Sequence, residues 1–307
     1  CDPAGRLHVE KLLSADPARY ADAAVAGIVR VLARSGGIRR IETIRMGTTV
    51  ATNALLERRG EPTVLVITAG FEDALRIGDQ ARPDIFALRI RRPEPAHDRV
   101  IAADERIDAS GNTLQPLDLE RLQLELQSAY ESGLRAVAIC FMHAWRNPVH
   151  ERAAGTLAEQ IGFRQISLSH EVSPLRKLLG RGDTTVADAC LSPVLDRYIA
   201  GLKTALADAG LTVGRLLFMQ SNGGLVDEHH FRGKDSVLSG PAGGVVGMVA
   251  AAGPAAGDRL IGFDMGGTST DVSLFAGDYE YVTHSEIAGA RLRAPMIRIP
   301  TVPAGGG

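Results

Sequence analysis

Three stretches combine small, hydroxyl-bearing and acidic residues at spacings that could do chemistry. The first runs from Ile261 to Ser273. An apolar run delivers Asp264, Gly266 and Gly267 follow, then Thr268, Ser269, Thr270 and Asp271 lead into a second apolar run. Paired glycines permit close backbone approach, and successive N–H groups in such a turn form a nest for phosphate oxygens. A carboxylate at a strand end, here Asp264, can hold Mg²⁺ directly or through water. A plain hairpin with a glycine turn needs only two turn residues and no flanking Asp and Thr set. The second stretch, Leu238–Gly247, spaces Gly240, Gly243, Gly244 and Gly247 three to four residues apart. That spacing clears one face of an incipient helix whose N-terminus suits an anion, although tight helix–sheet packing without a ligand fits it too. The third, Arg45–Leu55, opens a helix with Thr48 and Thr49 and carries Asn53 about one turn in; ordinary capping by either threonine is the alternative.

Several chemistries are excluded. Gly233-Lys234 is followed by Asp235, so no Walker-type phosphate loop exists, and no nucleophile elbow, zinc-protease helix or dinucleotide fingerprint is present. His229-His230 reads as an exposed loop pair, and His143, near Trp145, as a structural histidine at a strand end. Cys1, Cys140 and Cys190 are odd in number and lack C-x-x-C spacing, which excludes a disulfide framework or zinc ribbon and points to a reducing, cytoplasmic setting. Lys and Arg total 34 against 36 Asp and Glu, so no basic field attracts nucleic acid or anionic lipid. The uncharged run from Ser239 to Gly257 holds six Gly and two Pro, too many for a membrane span.

The elements that must position these residues alternate between strand and helix patterns across 307 residues, which predicts an α/β chain. Helices are expected over 18–34, Thr48–Glu57 and Pro148–Ile161, the last capped by Asn147, and a long one over Thr184–Ala209 that Ser192-Pro193 either kinks or caps anew. Strands are expected at Ile41–Met46, Val64–Ile67, Ala136–Phe141 (with Cys140 buried), Ile166–Ser169 and Leu216–Met219. The loop Gln220–Gly224 and a Gly-rich helix over Ser239–Ala252 follow. Leu260–Asp264 and Asp271–Phe275 close the order as a strand pair. Residues 119–130 fit a helix face or a Leu-x-Leu strand, and 82–112, rich in Pro and Arg, reads as an excursion from the core.

The strand–Asp-x-Gly-Gly-Thr–strand hairpin resembles the second phosphate motif of the sugar kinase, heat-shock chaperone and actin superfamily. The Ser-Gly-Pro-Ala-Gly-Gly helix resembles the connecting helix between its lobes. Within that superfamily the chain is similar to the hydantoinase A/oxoprolinase family through Met46–Gly60, Ser169–Pro174, Phe218–Leu225 and Ser239–Gly247. Arg181–Asp188, Gly233–Met248, Gly262–Gly277, Ala288–Pro295 and Ala304–Gly307 draw it toward the oxoprolinase branch. Cys190, Pro300 and Pro303 depart from that pattern. Nothing matches the family's first Gly-Gly-Thr-Phe-Thr-Asp loop, and Leu7–Tyr20 resembles the segment after it.

The resemblance implies an actin-like (ribonuclease H-like) ATPase fold, α/β, a mixed sheet flanked by helices and incomplete at both ends. Residues 1–180 would be lobe I without its first phosphate loop. Residues 181–307 would start the hydantoinase A region: the end of lobe I and the connecting helix to about 257, then the first strands of lobe II. The implied activity is ATP-dependent opening of the 5-oxo-L-proline lactam to L-glutamate through a phosphorylated intermediate, which this chain alone would not complete. Rivals are hydantoin opening, the ATP-using subunit of a ketone carboxylase, and a non-catalytic nucleotide-binding module. The implied roles are Asp264 for Mg²⁺, Gly266, Gly267, Thr268 and Thr270 for ATP phosphates, and Asp271 for loop or water. Gly240, Gly243 and Gly244 would face the nucleotide, with Thr48, Thr49 and Asn53 nearer the substrate. Implied partners are a small lactam and either a second copy or a hydantoinase B-like part, without nucleic acid or membrane.

Overall fold

The computed structural model describes residues 5–13, 16, 18–20, 22–34, 39–79, 86, 88, 94–253, 259–266, 270–287 and 289–302. Helix α1 spans Ala23–Arg34, entered where Asp22 Oδ1 accepts the Val25 N–H at 2.9 Å. Then come β1 (Arg40–Met46), α2 (Val50–Leu56), β2 (Thr63–Thr68), α3 (Ala74–Ile77) and β3 (Arg99–Ala103). The short pair β4 (Arg106–Ile107) and β5 (Thr113–Gln115) precedes α4 (Leu119–Glu131), β6 (Ala136–Cys140), α5 (Val149–Ile161), β7 (Gln165–Leu168) and α6 (Ser169–Val172). The long α7 (Leu178–Asp208) leads to β8 (Thr212–Met219), β9 (Leu225–Asp227), α8 (Gly233–Ser236) and α9 (Ser239–Ala252). The last strands are β10 (Leu260–Met265), β11 (Thr270–Phe275), β12 (Tyr281–Val282), β13 (Ser285–Ile287), β14 (Ala290–Leu292), β15 (Met296–Ile297) and β16 (Thr301–Val302).

Strands β3–β2–β6–β7 form a wholly parallel sheet. Every residue of β2 and β6 is buried, because a parallel sheet is covered on both faces and its inner strands read as continuous apolar runs. On one face Val64, Val66, Val137 and Ile139 meet Leu122, Leu126 and Ala129 of α4 and Ala154 and Ala158 of α5. On the other, Leu65, Ile67, Ala138 and Cys140 meet Leu75 of α3 and Val186 and Ala189 of α7. A second, mixed sheet joins β1 parallel to β8 and β8 antiparallel to β9. Its core, with Ile44 and Phe218, packs on Leu191, Leu195, Ile199, Leu202 and Leu206, so the C-terminal part of α7 serves this sheet as its N-terminal part serves the first.

Helix α7 runs through Pro193 without a break. Proline there removes one helical hydrogen bond, and nearby the Cys190 carbonyl accepts the Glu61 N–H at 2.8 Å. Residues 119–130 are helical: Asp118 Oδ1 caps the Arg121 N–H at 3.0 Å, and Leu122, Leu126 and Ala129 fall on one buried face. Two expectations need correction. Residues 82–112 are not wholly an excursion, since Arg99–Ala103 supplies edge strand β3, a run too short for periodicity to reveal. The cap position of α5 falls at Pro148; Asn147 sits one residue earlier and accepts the Val149 N–H at 3.2 Å.

Burial pushes the thiols of Cys140 and Cys190 up to about 11. Thiols held protonated are poor nucleophiles. Iodoacetamide at pH 8 should therefore leave both unlabelled in the folded chain and modify both in urea, read by peptide mass spectrometry.

Candidate functional site

The hairpin expected to bind phosphate forms: β10 and β11 pair antiparallel with Asp264 opposite Asp271 and Met265 opposite Thr270. Side chains alternate across a strand, so Gly262, Asp264, Asp271 and Ser273 share one face. That face is the one toward α9, because a methyl at Gly262 would lie 2.7 Å from Met248 Sδ. Ile261, Phe263, Met265 and Leu274 occupy the other, exposed face. Carboxylates directly opposite repel each other. Thr301 Oγ1 donates to Asp271 Oδ1 at 2.7 Å, and Asp264 is exposed. Two carboxylates on one strand face are the hard-oxygen donors that Mg²⁺ takes one or two of. No cluster of three or more His, Cys, Asp or Glu ligands occurs among the described residues. Gly266 is exposed at the end of β10 and Thr270 is buried, while Gly267 and Thr268 lie outside the described residues.

The other two motifs meet each other. Thr48 N–H donates to Ser239 Oγ at 3.1 Å, and the Thr52 hydroxyl donates to the Val237 carbonyl. A methyl at Gly47 would lie 3.3 Å from the Ser239 carbonyl, and one at Gly240 would lie 3.0 Å from Thr49 Cγ2. Glycine at both positions thus lets the N-termini of α2 and α9 abut, and their positive helix ends reinforce each other. Thr48 is buried one residue before the cap position, and its Oγ1 accepts the Val50 N–H at 3.2 Å; Thr49 holds the cap position without a side-chain cap bond, and Thr49 and Asn53 are exposed. Packing accounts for Gly240; at Gly243 a methyl would make only ordinary contact with Met219 Cγ at 3.7 Å. Packing does not account for Gly244 and Gly247, where a methyl would meet nothing within 4 Å.

A buried polar network at the carboxyl end of the parallel sheet was not anticipated. Glu151, fully buried, accepts from the Phe141 N–H at 2.9 Å, the His170 N–H at 3.0 Å, His170 Nδ1 at 2.6 Å and the Ser169 hydroxyl. Arg181, also fully buried, donates to the Phe141 carbonyl and, at 3.0 Å, to the Leu175 carbonyl. Glu105 takes His150 Nδ1 at 2.7 Å and the Thr68 hydroxyl, whose oxygen in turn accepts the Met142 N–H at 2.8 Å. His143 follows with φ 60° and turns the chain, its carbonyl accepting the Arg146 N–H at 2.8 Å. His229, by contrast, is exposed as expected. The only sequence signal for this network was the adjacency of acids and histidines in His150-Glu151 and His170-Glu171, which on a helix reads as surface.

Nearby, Arg291 Nε donates to Asp183 Oδ2 at 2.6 Å. Burial nevertheless pushes the Asp183 carboxyl up to about 6, against the opposing pull of that bond. A proton bound more tightly folded than unfolded gives stability that is present below pH 4 and lost as pH rises toward 6. Relative to Asp183→Asn, the wild-type chain should lose about 2 kcal/mol between pH 4 and 6 in urea titrations. Glu151→Ala, which strips an acceptor from four donors, should cost about 3–5 kcal/mol, whereas the exposed Glu159→Ala changes stability by less than about 0.5.

Comparison with known proteins gives a consistent picture. The profile of the hydantoinase/oxoprolinase N-terminal region matches residues 1–162, and that of hydantoinase/oxoprolinase matches residues 181–307. 5-oxoprolinase 1 of Arabidopsis thaliana is 44% identical over 98% of this chain and 26% of its own length. Caprolactamase subunit alpha of Pseudomonas jessenii is 35% identical over 85% of this chain and 38% of its own. The crystal structure of ATP-dependent caprolactamase from that organism superimposes with a TM-score of 0.83 and 31% identity, covering 100% of this chain and 46% of that one. The chain thus spans about a quarter of the length of the oxoprolinase it matches. The α/β architecture is of the actin-like ATPase type.

Proposed function

The chain belongs to the hydantoinase/oxoprolinase family, and on that premise we propose that it works as one segment of an ATP-dependent 5-oxoprolinase. The observation that carries the reading is the Asp264–Asp271 pair, set opposite each other on the hairpin face that packs against α9. In this proposal residues 1–180 belong to lobe I, α9 connects the lobes to about 257, and β10 and β11 begin lobe II.

An unstrained lactam resists hydrolysis because its amide is resonance-stabilised. The reaction becomes feasible when the amide oxygen takes the γ-phosphoryl group of ATP. Water then adds at the activated carbon, the ring C–N bond breaks, and hydrolysis of the acyl phosphate leaves glutamate, ADP and phosphate. The protein contributes positioning and electrostatics. Asp264, with Asp271 opposite, would hold Mg²⁺, which when bound neutralises phosphate charge. The backbone at Gly266 and Gly267, with the hydroxyls of Thr268 and Thr270, would bind phosphate oxygens. Gly243 and Gly244 would keep the facing helix bare, so that a nucleotide can approach its backbone, while Gly240, packed on Thr49, would set where that face begins. Thr49 and Asn53, exposed on α2, would line the substrate side, with Thr48 holding the α2–α9 junction beneath them. A partner resembling the second component of hydantoinase-type enzymes is part of the proposal, supported by the relative named as a subunit alpha.

In the full-length protein, Asp264→Asn should lower 5-oxoproline-dependent glutamate release by at least about 100-fold. Glutamate at the wild-type rate would refute the assignment. ADP release indifferent to 5-oxoproline would instead favour a nucleotide-binding module.

A further inference from the structure

Three motifs have no role in the nucleotide site: Ser169–Pro174, Arg181–Asp188 and Ala288–Pro295. The fold brings them to one place, the first turns of α7. Arg293 lies across that helix: its backbone N–H donates to Thr184 Oγ1 at 2.9 Å, and its carbonyl accepts from Ser173 Oγ at 3.5 Å. Its side chain occupies the space over Gly180, where a methyl would collide with Cδ and stand 2.9 Å from Cγ. Glycine at 180 is what lets the guanidinium reach this position.

The charge there is unbalanced. Nε and Nη1 of Arg293 are shut off from solvent with no hydrogen-bond partner, as are Nε of Arg181 and Nε2 of His170. The Arg181 side chain is fully buried and that of His170 is 9% exposed. Neither arginine has a carboxylate within ion-pair distance among the described residues. The neighbouring acids are committed elsewhere: Asp183 to Arg291 at 2.6 Å, Glu151 to its four donors, and Asp188 to Ser167 Oγ at 2.9 Å. Glu171, half-exposed, is 3.8 Å from His170 Nε2. The first turn of α7 has no acidic residue and no side-chain cap, and Lys177 precedes it. A cation beside a helix N-terminus opposes the helix dipole. Native proteins retain few buried donors unpaired, and a buried cation without a counter-ion is costlier still.

We propose that Arg293, backed by Arg181, His170 and the N-terminus of α7, forms a subsite for the carboxylate of the cyclic amide substrate. The planar guanidinium suits a carboxylate. The strip from Arg293 to Ile297 ends against Val245 and Ala242 of α9, and four residues of chain span at most about 14 Å. Arg293 therefore lies within about 14 Å along the chain of a residue that packs on the connecting helix. The inference rests on the oxoprolinase reading above, and it makes Arg293 the residue that separates 5-oxoproline from an uncharged lactam.

The test uses the full-length protein. Arg293→Met keeps the aliphatic packing on Gly180 and removes the charge. It should raise the KM for 5-oxoproline at least about 10-fold, leave the KM for ATP within about two-fold, and leave the unliganded Tm equal or higher; Arg293→Lys should fall between. In the wild type, 5-oxoproline should raise Tm where 2-pyrrolidinone and inorganic phosphate do not. An unchanged KM for 5-oxoproline in Arg293→Met, or a wild-type Tm raised equally by 2-pyrrolidinone or phosphate, overturns the subsite. If 5-oxoproline raises the wild-type Tm selectively but is not hydrolysed, the subsite stands and the oxoprolinase reading fails.

Discussion

The structure depends on how the end of strand β6 is held. The Phe141 N–H is accepted by Glu151 from α5, and the Phe141 carbonyl is gripped by Arg181 from α7. Both side chains are fully buried. One peptide group's neighbourhood therefore fixes the helices on opposite faces of the parallel sheet relative to each other. Removing Glu151 or Arg181 leaves a buried backbone group of Phe141 without its partner, which costs more than the contact adds net.

Because α7 is continuous through 31 residues, what fixes its first turns also sets its far half. That half carries the core of the β1–β8–β9 sheet, on which the α2 and α9 N-termini meet. The β10–β11 hairpin then packs on α9 through Gly262 and Met248. Buried ionic knot, long helix, second sheet, connecting helix and Asp-bearing hairpin form one mechanical series. In the proposed function the nucleotide occupies the end of that series, and the unpaired cations at Arg181 and Arg293 sit at its beginning.

Much of this was legible in the residues. A strand, two glycines and a strand specify a hairpin, and the register places Asp264 opposite Asp271, as the strand pair implied. The glycines of α9 were identifiable as a bare face, but only coordinates separate Gly240, where the Thr49 methyl approaches, from Gly244 and Gly247, where nothing does. The ionic knot was invisible. Glu105 and His150 are 45 residues apart, and charged residues in helical segments read as solvated unless the fold encloses them. Strand β3 escaped notice because five residues carry no period; the long helix over Thr184–Ala209 was legible, and only its continuity through Pro193 stayed open, because proline usually kinks or ends a helix.

The central claim is that the hairpin and the glycine face of α9 together receive the nucleotide. Backbone hydrogen exchange of the full-length protein, with and without Mg²⁺ and a non-hydrolysable ATP analogue, measures it most directly. Slower exchange in peptides covering 260–275 and 239–252, with β3 unchanged, is the result expected. Exchange unaltered in both of those segments while the analogue is bound would contradict the account.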